Sequence, residues 1–551
     1  MNLAPLDALI YTWTHGTRGF LLAYGLIGMF MIAGLKQGNA RARLYLAIPI
    51  LALPTLVVVG VSLEILFWAL ERFGHVTFGR NQILPALVVF MAGGFFGGLY
   101  WARRGQPREA VQGRGAMVID GTAAQAAGSK QRVKALKKPD TNFPLTLAGV
   151  TVPFADEFKH FKIMGVTGSG KSTALKGLIH GALYRGDRAV VADPDGGYLS
   201  RLYDPKRGDV ILNPFDARSA KWNLFGELRN TYDIDQLARA MIPDRANADA
   251  QWTSYARTFF GAVTRQAKAA GIDDVGELYR LLTSGSREEL KLLVAGTPAA
   301  PFLEEGSEKM FGGVRSTTAD AVRGLDYIRE CKGRNFSVRE WIRTGKGVLF
   351  MPYQADQIAA LKALISTWMR LAISQNLSLG EGDWRLWYLV DELDALGAID
   401  GLADALPRLR KFGGRCALGF QSIGMTTTLY GKGPAEAMVE NAGNSLILRC
   451  SAAESGGTAR FASTLIGSRE VTRATRSVSR SGGGIFSQGN ETLSEGEHQA
   501  MEPAVLPAQI EQLPDCAGYL KLASQPAWMQ VQFPHYEIPR VAEAFVPVDS
   551  L

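Results

Sequence analysis

Gly165-Val-Thr-Gly-Ser-Gly-Lys-Ser-Thr173 is the stretch that decides the fold. It fits G-x-x-x-x-G-K-[ST], follows His160-Phe-Lys-Ile-Met164, which reads as a strand, and precedes Ala174 to Leu183, which reads as a helix. That order of strand, loop and helix is the context a phosphate-binding loop requires. A phosphate chain is gripped by backbone N–H groups, so glycine belongs wherever a Cβ would collide or φ must be positive. The expected cradle is Gly165, Val166, Thr167, Gly168, Ser169, Gly170, Lys171, Ser172 and Thr173. Lys171 would neutralise the β and γ phosphates of ATP and Ser172 would place its hydroxyl on Mg2+. The positive end of the helix dipole adds to the anion site.

The other half of such a site is a buried strand that ends in acids. Arg385-Leu-Trp-Tyr-Leu-Val390, followed by Asp391 and Glu392, has that form. Asp391 is expected to hold the Mg2+ water shell. Glu392, aimed differently one residue on, is the candidate general base for the attacking water. An amphipathic helix, Ile399 to Lys411, comes next, then a strand, Arg415 to Phe420, ending at Gln421. A polar side chain at the end of a neighbouring strand faces the γ-phosphate, so Gln421 either senses that phosphate or positions water; a satisfied loop amide is the competing reading. Arg410, where the amphipathic helix ends, is the candidate arginine finger reaching into a neighbouring copy, and Arg449, after the strand Asn444 to Leu448, is a second. A basic helix end that suits the dipole explains Arg410 equally well.

Outward from this site, 551 residues exceed what one hydrophobic core can organise, so two or three domains are expected. Apolar residues crowd the first hundred positions in three stretches: Gly19 to Leu35, Leu44 to Leu63 continuing past Glu64 to Leu70, and Ile83 to Ala102. Each approaches the roughly 20 residues that cross a bilayer. No small-residue cleavage site follows the first stretch, and a secretory leader would leave the other two unexplained. Lys36, Arg41, Arg43, Arg103, Arg104 and Arg108 assign their loops to the cytoplasmic side. The expectation is a multi-pass membrane protein with its bulk in the cytoplasm. Three spans put the N-terminus outside, two put it inside. Gly93 with Gly97, and Gly94 with Gly98, repeat a small-xxx-small spacing, which either joins helices of different copies or packs this helix on its own neighbours. Between Arg103 and Lys138 the chain turns polar and basic, which reads as a linker at the membrane surface.

The net charge of +8 favours an anionic partner, nucleic acid or the inner lipid leaflet. Cys331, Cys416, Cys450 and Cys516 form no CxxC pair and the six histidines show no ligand spacing, which points to a reducing compartment and no structural zinc. The segment Gly467 to Asn490 carries Arg469, Arg473, Arg476 and Arg480 among Ser and Gly; it reads as a loop that lines a channel, meets a partner or is simply solvated. Leu493-Ser-Glu-Gly-Glu-His-Gln499 bears a faint likeness to an ABC-transporter signature, but it follows the acid-bearing strand and has acids where that signature does not, which excludes that class.

Several longer strings carry a family likeness: Val190 to Pro205 (VVADPDGGYLSRLYDP), Ile211 to Glu227 (ILNPFDARSAKWNLFGE), Leu406 to Ser422 (LPRLRKFGGRCALGFQS) and Ala542 to Ser550 (AEAFVPVDS). With the P-loop and the acids, they resemble the type IV coupling proteins of bacterial conjugation, the TraD/TrwB type, related to FtsK-like translocases. The resemblance implies an α/β fold: a RecA-like nucleotide-binding domain with an inserted all-α domain and N-terminal transmembrane helices. The boundaries it implies are a membrane anchor at 1–103, a first nucleotide-binding part at 104–217 with a basic linker at 104–140, an all-α domain at 218–341 and a second nucleotide-binding part at 342–551. It assigns Lys171 and Ser172 to the P-loop, Asp391 and Glu392 to the acidic pair, Arg410 to the finger and Gln421 to the motif after it. It implies a DNA-dependent ATPase that moves single-stranded DNA with its attached relaxase into a type IV secretion channel, as a homo-hexamer at the inner membrane. A docking receptor whose ATP binding only sets conformation is the alternative, and protein cargo is compatible with both. The winged-helix module usual at the end of chromosomal FtsK-like translocases is not suggested by the residues after Gln421. Two departures stand out: Gly196-Gly197-Tyr198 occupies the place where related sequences usually carry an acid, and a third apolar stretch is present where two are usual.

Overall fold

Parallel strands covered on both faces must be apolar almost throughout. Arg188–Pro194, Val348–Tyr353, Leu386–Val390 and Gly414–Phe420 meet that demand, with nearly every residue buried. A computed structural model describes residues 17–37, 45–58, 83–105, 111–137, 143–243, 250–399, 401–452, 457–480, 491–535 and 537–548. The chain divides into two compact units, one of residues 1–113 and 470–500, the other of residues 114–469 and 501–551.

The larger unit is built on a ten-stranded mixed sheet. In chain order its strands are β1 (Val118–Asp120), β2 (Phe161–Met164), β3 (Arg188–Pro194), β4 (Val210–Ile211), β5 (Val348–Tyr353), β6 (Leu386–Val390), β7 (Gly414–Phe420), β8 (Asn444–Ile447), β9 (Ala517–Lys521) and β10 (Trp528–Gln532). Their spatial order is β1-β10-β9-β8-β2-β7-β6-β3-β5-β4. From β8 to β4 every neighbouring pair is parallel, whereas β9 pairs antiparallel with both β8 and β10. Alternation along each strand feeds two cores. Val190 and Ala192 of β3 join one that runs on into the helical insert, while Ala189 and Val191 join another that includes Leu175 and Leu178 of the helix Lys171–Tyr184.

Between β4 and β5 the chain leaves the sheet for a helical insert that contains Thr231–Met241, Ala250–Ala269, Val275–Thr283, Arg287–Leu293, Glu308–Val322 and Gly324–Glu330. Its neck is closed by two short parallel strands, Lys221–Trp222 and Asn335–Phe336. A buried carboxylate ties the same two chain crossings together. Glu227 accepts from Trp222 Nε1 (3.0 Å), Ser337 Oγ (3.1 Å), Val338 N (2.7 Å) and Arg339 N (3.0 Å). It therefore sits on the N-terminus of the helix Val338–Thr344, where a negative charge is favoured.

The basic stretch 104–140 is not the linker expected of it where it is described. Val118–Asp120 is the edge strand β1, paired with β10, and Thr122–Leu136 is a helix. Its alanine-rich composition favours helix, and Asp120 Oδ1 holds the first turn by accepting from Thr122 N (2.9 Å) and Thr122 Oγ1 (2.5 Å). The Arg-rich segment after Gly467 also departs from the loop expected: Ser468–Arg480 is the middle strand of a separate sheet, flanked by Val111–Gly115 and Glu491–Pro503. Val471, Thr472, Thr475 and Val478 supply the β-branched residues that favour this form, and residues 481–490 lie outside the described residues.

In the smaller unit the apolar stretches appear as helices Thr17–Gln37 and Ile83–Gly105, and residues 48–58 are also helical. Among the described residues no helix is long and apolar enough to cross a membrane. Part of the second expected span, residues 59–70, falls outside them. The glycine spacing serves packing within the chain. A Cβ at Gly94 would lie 2.6 Å from Ile27 O, and one at Gly98 would lie 2.4 Å from Met31 O, so the two backbones touch where side chains are missing.

At the amino edge of the large sheet His160 bridges two elements, accepting from Cys416 N at Nδ1 (3.1 Å) and donating from Nε2 to Leu406 O (2.7 Å). Burial, reinforced by Arg410 and Arg415 nearby, lowers its pKa from 6.5 to about 4. Between those two values the unfolded chain takes up a proton that the fold refuses, so stability is complete above about pH 6.5 and drains away as pH falls towards 4. Denaturant titrations across this window should show a loss on the order of 3 kcal/mol, and His160→Gln should flatten that part of the profile.

Candidate active site

The P-loop is strung between the ends of three strands. Gly165 N donates to Phe420 O at the end of β7 (3.0 Å), and Val166 N donates to Arg449 O just beyond β8 (2.9 Å). Gly168 (φ +80°) and Gly170 (φ +103°) then take left-handed conformations that L side chains avoid. Ser169 folds its hydroxyl back onto Val166 O (2.7 Å), and its carbonyl accepts from Cys516 N (2.9 Å), which props the loop from beneath. The helix Lys171–Tyr184 starts at once, with its free N–H groups turned to the loop.

Asp391 lies directly after β6, between β7 and β3 in the sheet, and is 1% exposed. Its Oδ2 accepts from Ser172 Oγ (2.5 Å) and from the Tyr198 hydroxyl (3.0 Å). Its Oδ1 is 3.8 Å from Lys171 Nζ. Both Oδ1 and that Nζ are buried without a hydrogen-bond partner. Glu392, half-buried, accepts from Gln421 Nε2 at Oε1 (3.0 Å). Burial raises the Glu392 pKa, as does the charge of Asp391, while Lys171 opposes the shift. A carboxylate adjusted in that direction is a better proton acceptor than an ordinary one.

A cavity of about 300 Å³ opens over these groups. Val166, Thr167, Gly168, Gly170, Lys171, Ser172, Thr173, Glu392 and Gln421 line it, as the sequence led us to expect. Lys176, Arg201, Asp515, Cys516, His535 and Glu537 line it too, and sequence reasoning missed them. The helical period places Lys176 on the P-loop helix, and Arg201 lies in the string Val190 to Pro205 with no role attached to it, but Asp515, Cys516, His535 and Glu537 come from distant segments with no motif to mark them. Tyr198 stands out in the sequence only as part of Gly196-Gly197-Tyr198, with no role attached. Its backbone N–H and that of Leu199 donate to Asp193 Oδ1 and Oδ2 (2.8 and 2.7 Å), and burial pushes the Asp193 pKa up to about 7.

The two arginine candidates part company. Arg449 pairs with Asp515 (2.6 Å), a residue of the cavity wall, and so belongs to this chain's own site. Arg410 is exposed in the short turn Arg410–Phe412 just before β7, whereas Gln421 follows the last residue of β7. A seven-residue strand separates them by about 23 Å, so Arg410 is remote from the cavity of its own chain.

The arrangement fits a polyphosphate and a hydrated divalent cation. Lys171 Nζ, which makes no hydrogen bond, has donors to offer an anion, the left-handed glycines expose N–H groups, and Asp391 Oδ1, likewise without a hydrogen bond, can take a water of the ion's shell. Among the described residues no group of three or more His, Cys, Asp or Glu side chains could hold an ion. A serine hydroxyl with one carboxylate suits Mg2+, which keeps several waters and takes phosphate oxygens as ligands.

Comparison with known proteins finds relatives of one kind. The family model of the type IV secretion-system coupling protein DNA-binding domain matches residues 144–534. Coupling protein TraD of Escherichia coli (strain K12) is 29% identical over 428 residues, which are 76% of this chain and 59% of TraD, so the match spans less than two thirds of that relative. The bacterial conjugative coupling protein TrwBdeltaN70, in its unbound monoclinic form, is 28% identical with a TM-score of 0.68, covering 79% of this chain and 96% of that one. Plasmid coupling protein TrwB in complex with ADP and Mg2+ has the same identity and TM-score, covering 81% and 99%. The same protein with a non-hydrolysable ATP analogue also has 28% identity and a TM-score of 0.68, covering 80% and 98%.

A side chain at Gly170 would meet Cys516, with a Cβ 2.9 Å from its Sγ and 3.1 Å from its Cα, on top of the strain of φ +103°. Gly170→Ala should weaken binding of inorganic triphosphate by at least about tenfold, equivalent to about 1.4 kcal/mol, as read by calorimetry. Adding Cys516→Ala should not restore it, because the backbone conformation remains strained.

Proposed function

Because the chain belongs to the type IV secretion-system coupling proteins, we propose that it is a membrane-associated ATPase that couples relaxase-bound DNA to a secretion channel and drives single-stranded DNA through it in conjugation. The observation that carries the catalytic part is the convergence of Lys171, Ser172 and Asp391 at the carboxyl ends of β2 and β6, with Glu392 and Gln421 joined beside them. The sheet order and the P-loop helix support a RecA-like description of the nucleotide-binding domain.

In this reading the P-loop amides and Lys171 would grip the phosphates of ATP, and Ser172 and Asp391 would hold Mg2+ and its water. When bound, Mg2+ would supply neutralisation of phosphate charge. Glu392 Oε accepts the proton of the attacking water, and the amide of Gln421 fixes that carboxylate. Arg410 would act on the cavity of a neighbouring copy in a homo-hexameric ring, a role supported by its exposure away from its own cavity, and Arg449 stays within its own chain. The three apolar stretches of the sequence support anchorage at the inner membrane with the ATPase facing the cytoplasm. The basic balance of the chain supports phosphate contacts to DNA, which weaken as salt rises.

ATP turnover by the purified full-length protein in detergent should rise on adding single-stranded DNA at low salt. Lys171→Ala should abolish nucleotide binding, whereas Glu392→Gln should retain binding and lose turnover by about 100-fold or more. Turnover indifferent to DNA at every salt concentration would sink the translocase reading, and DNA transfer that persists in Glu392→Gln would favour the docking receptor.

A further inference from the structure

We propose that Tyr198 is a positioning residue that saturates one oxygen of Asp391 so that the other faces the Mg2+ water shell. The inference rests on the reading that this cavity takes ATP and Mg2+. A carboxylate oxygen has two lone pairs. Oδ2 of Asp391 spends one on Ser172 Oγ and one on the Tyr198 hydroxyl, and Oδ1 is left buried with no hydrogen-bond partner. The Ser172 hydroxyl donates through its hydrogen and keeps its own lone pairs for a cation. Tyr198 is therefore the group that closes Oδ2 without itself being a ligand.

The phenol is held for this purpose from three sides. The residue is 1% exposed, and its backbone N–H donates to Asp193, the next-to-last residue of β3. Lys176 Nζ stands 5.3 Å over the ring centroid, within cation–π range. Asp391 Oδ2 can only accept, so the phenol is the donor of their hydrogen bond. Since β3 and β6 are hydrogen-bonded neighbours, with Ala192 opposite Val390, the acid of one strand fixes the loop that fixes the acid of the other.

Tyr198→Phe removes a single oxygen and leaves the ring in place. In the full-length protein, Mn2+ binding in the presence of a non-hydrolysable ATP analogue should be followed by electron paramagnetic resonance, and affinity for a fluorescent ATP analogue measured with EDTA and with Mg2+. The half-saturating metal concentration should rise about tenfold, the size of one hydrogen bond to a charged group, while affinity in EDTA stays as in the wild type. Turnover at saturating Mg2+ should recover to within about twofold of the wild type. An unchanged metal midpoint, or an equal loss of nucleotide affinity in EDTA, would overturn the assignment. A wild-type protein whose nucleotide binding ignores both Mg2+ and Lys171→Ala would remove the underlying site reading, and this inference with it.

Discussion

A carboxylate withdrawn from water must be given back its hydrogen bonds and a counter-charge, or its burial goes uncompensated. Asp391 meets that requirement through groups from separate stretches of chain: Ser172 and Lys171 from the P-loop helix, and Tyr198 from the loop after β3. None of these can approach unless β6 lies beside β3 and one strand from β2, which is the order of the sheet. The strand order is thus coupled to the electrostatics of one side chain. What is left over after those contacts, one carboxylate oxygen and one ammonium without hydrogen bonds, is the part of the site reserved for something else.

The same solution closes the neck of the helical insert, where Glu227 is buried and accepts four donors from both crossings of the chain. One segment then connects the chain entering the insert to the cavity: residues 537–548 run from Glu537 in the cavity wall past Val546, whose carbonyl accepts from Ala217 N (2.8 Å). On the way it crosses Ser200, whose carbonyl accepts from Val541 N (2.8 Å). The segment spans the loop that holds Tyr198 and the loop that leads into the insert, so one strip of backbone touches both.

Much of this was legible in the residues. Gly165 to Thr173, Asp391, Glu392 and Gln421 could be assigned because the chemistry of phosphate binding restricts residue type at fixed spacing, and all of them meet at one end of the sheet. Tyr198, His535 and Glu537 could not, because only tertiary folding brings them there, and a buried tyrosine in a sequence looks like any other core aromatic. The glycines Gly94 and Gly98 were read correctly as sites of close backbone approach, but spacing alone does not say whose backbone approaches. The strand Ser468–Arg480 was missed because arginines and serines interrupt the alternation that marks a half-buried strand.

If Arg410 serves the cavity of a neighbouring copy, as proposed, the polarity of β7 restricts how the copies can associate. Arg410 precedes its first residue and Gln421 follows its last, so the two mark opposite edges of the sheet. Contact between Arg410 of one copy and the cavity of another is therefore heterologous, joining unlike surfaces. A two-fold pair built by matching either edge with itself would bring two cavities or two arginines together and leave the complementary surfaces apart. Head-to-tail stacking that turns through a constant angle has no such defect, and whether it closes or winds into a filament depends on that angle alone.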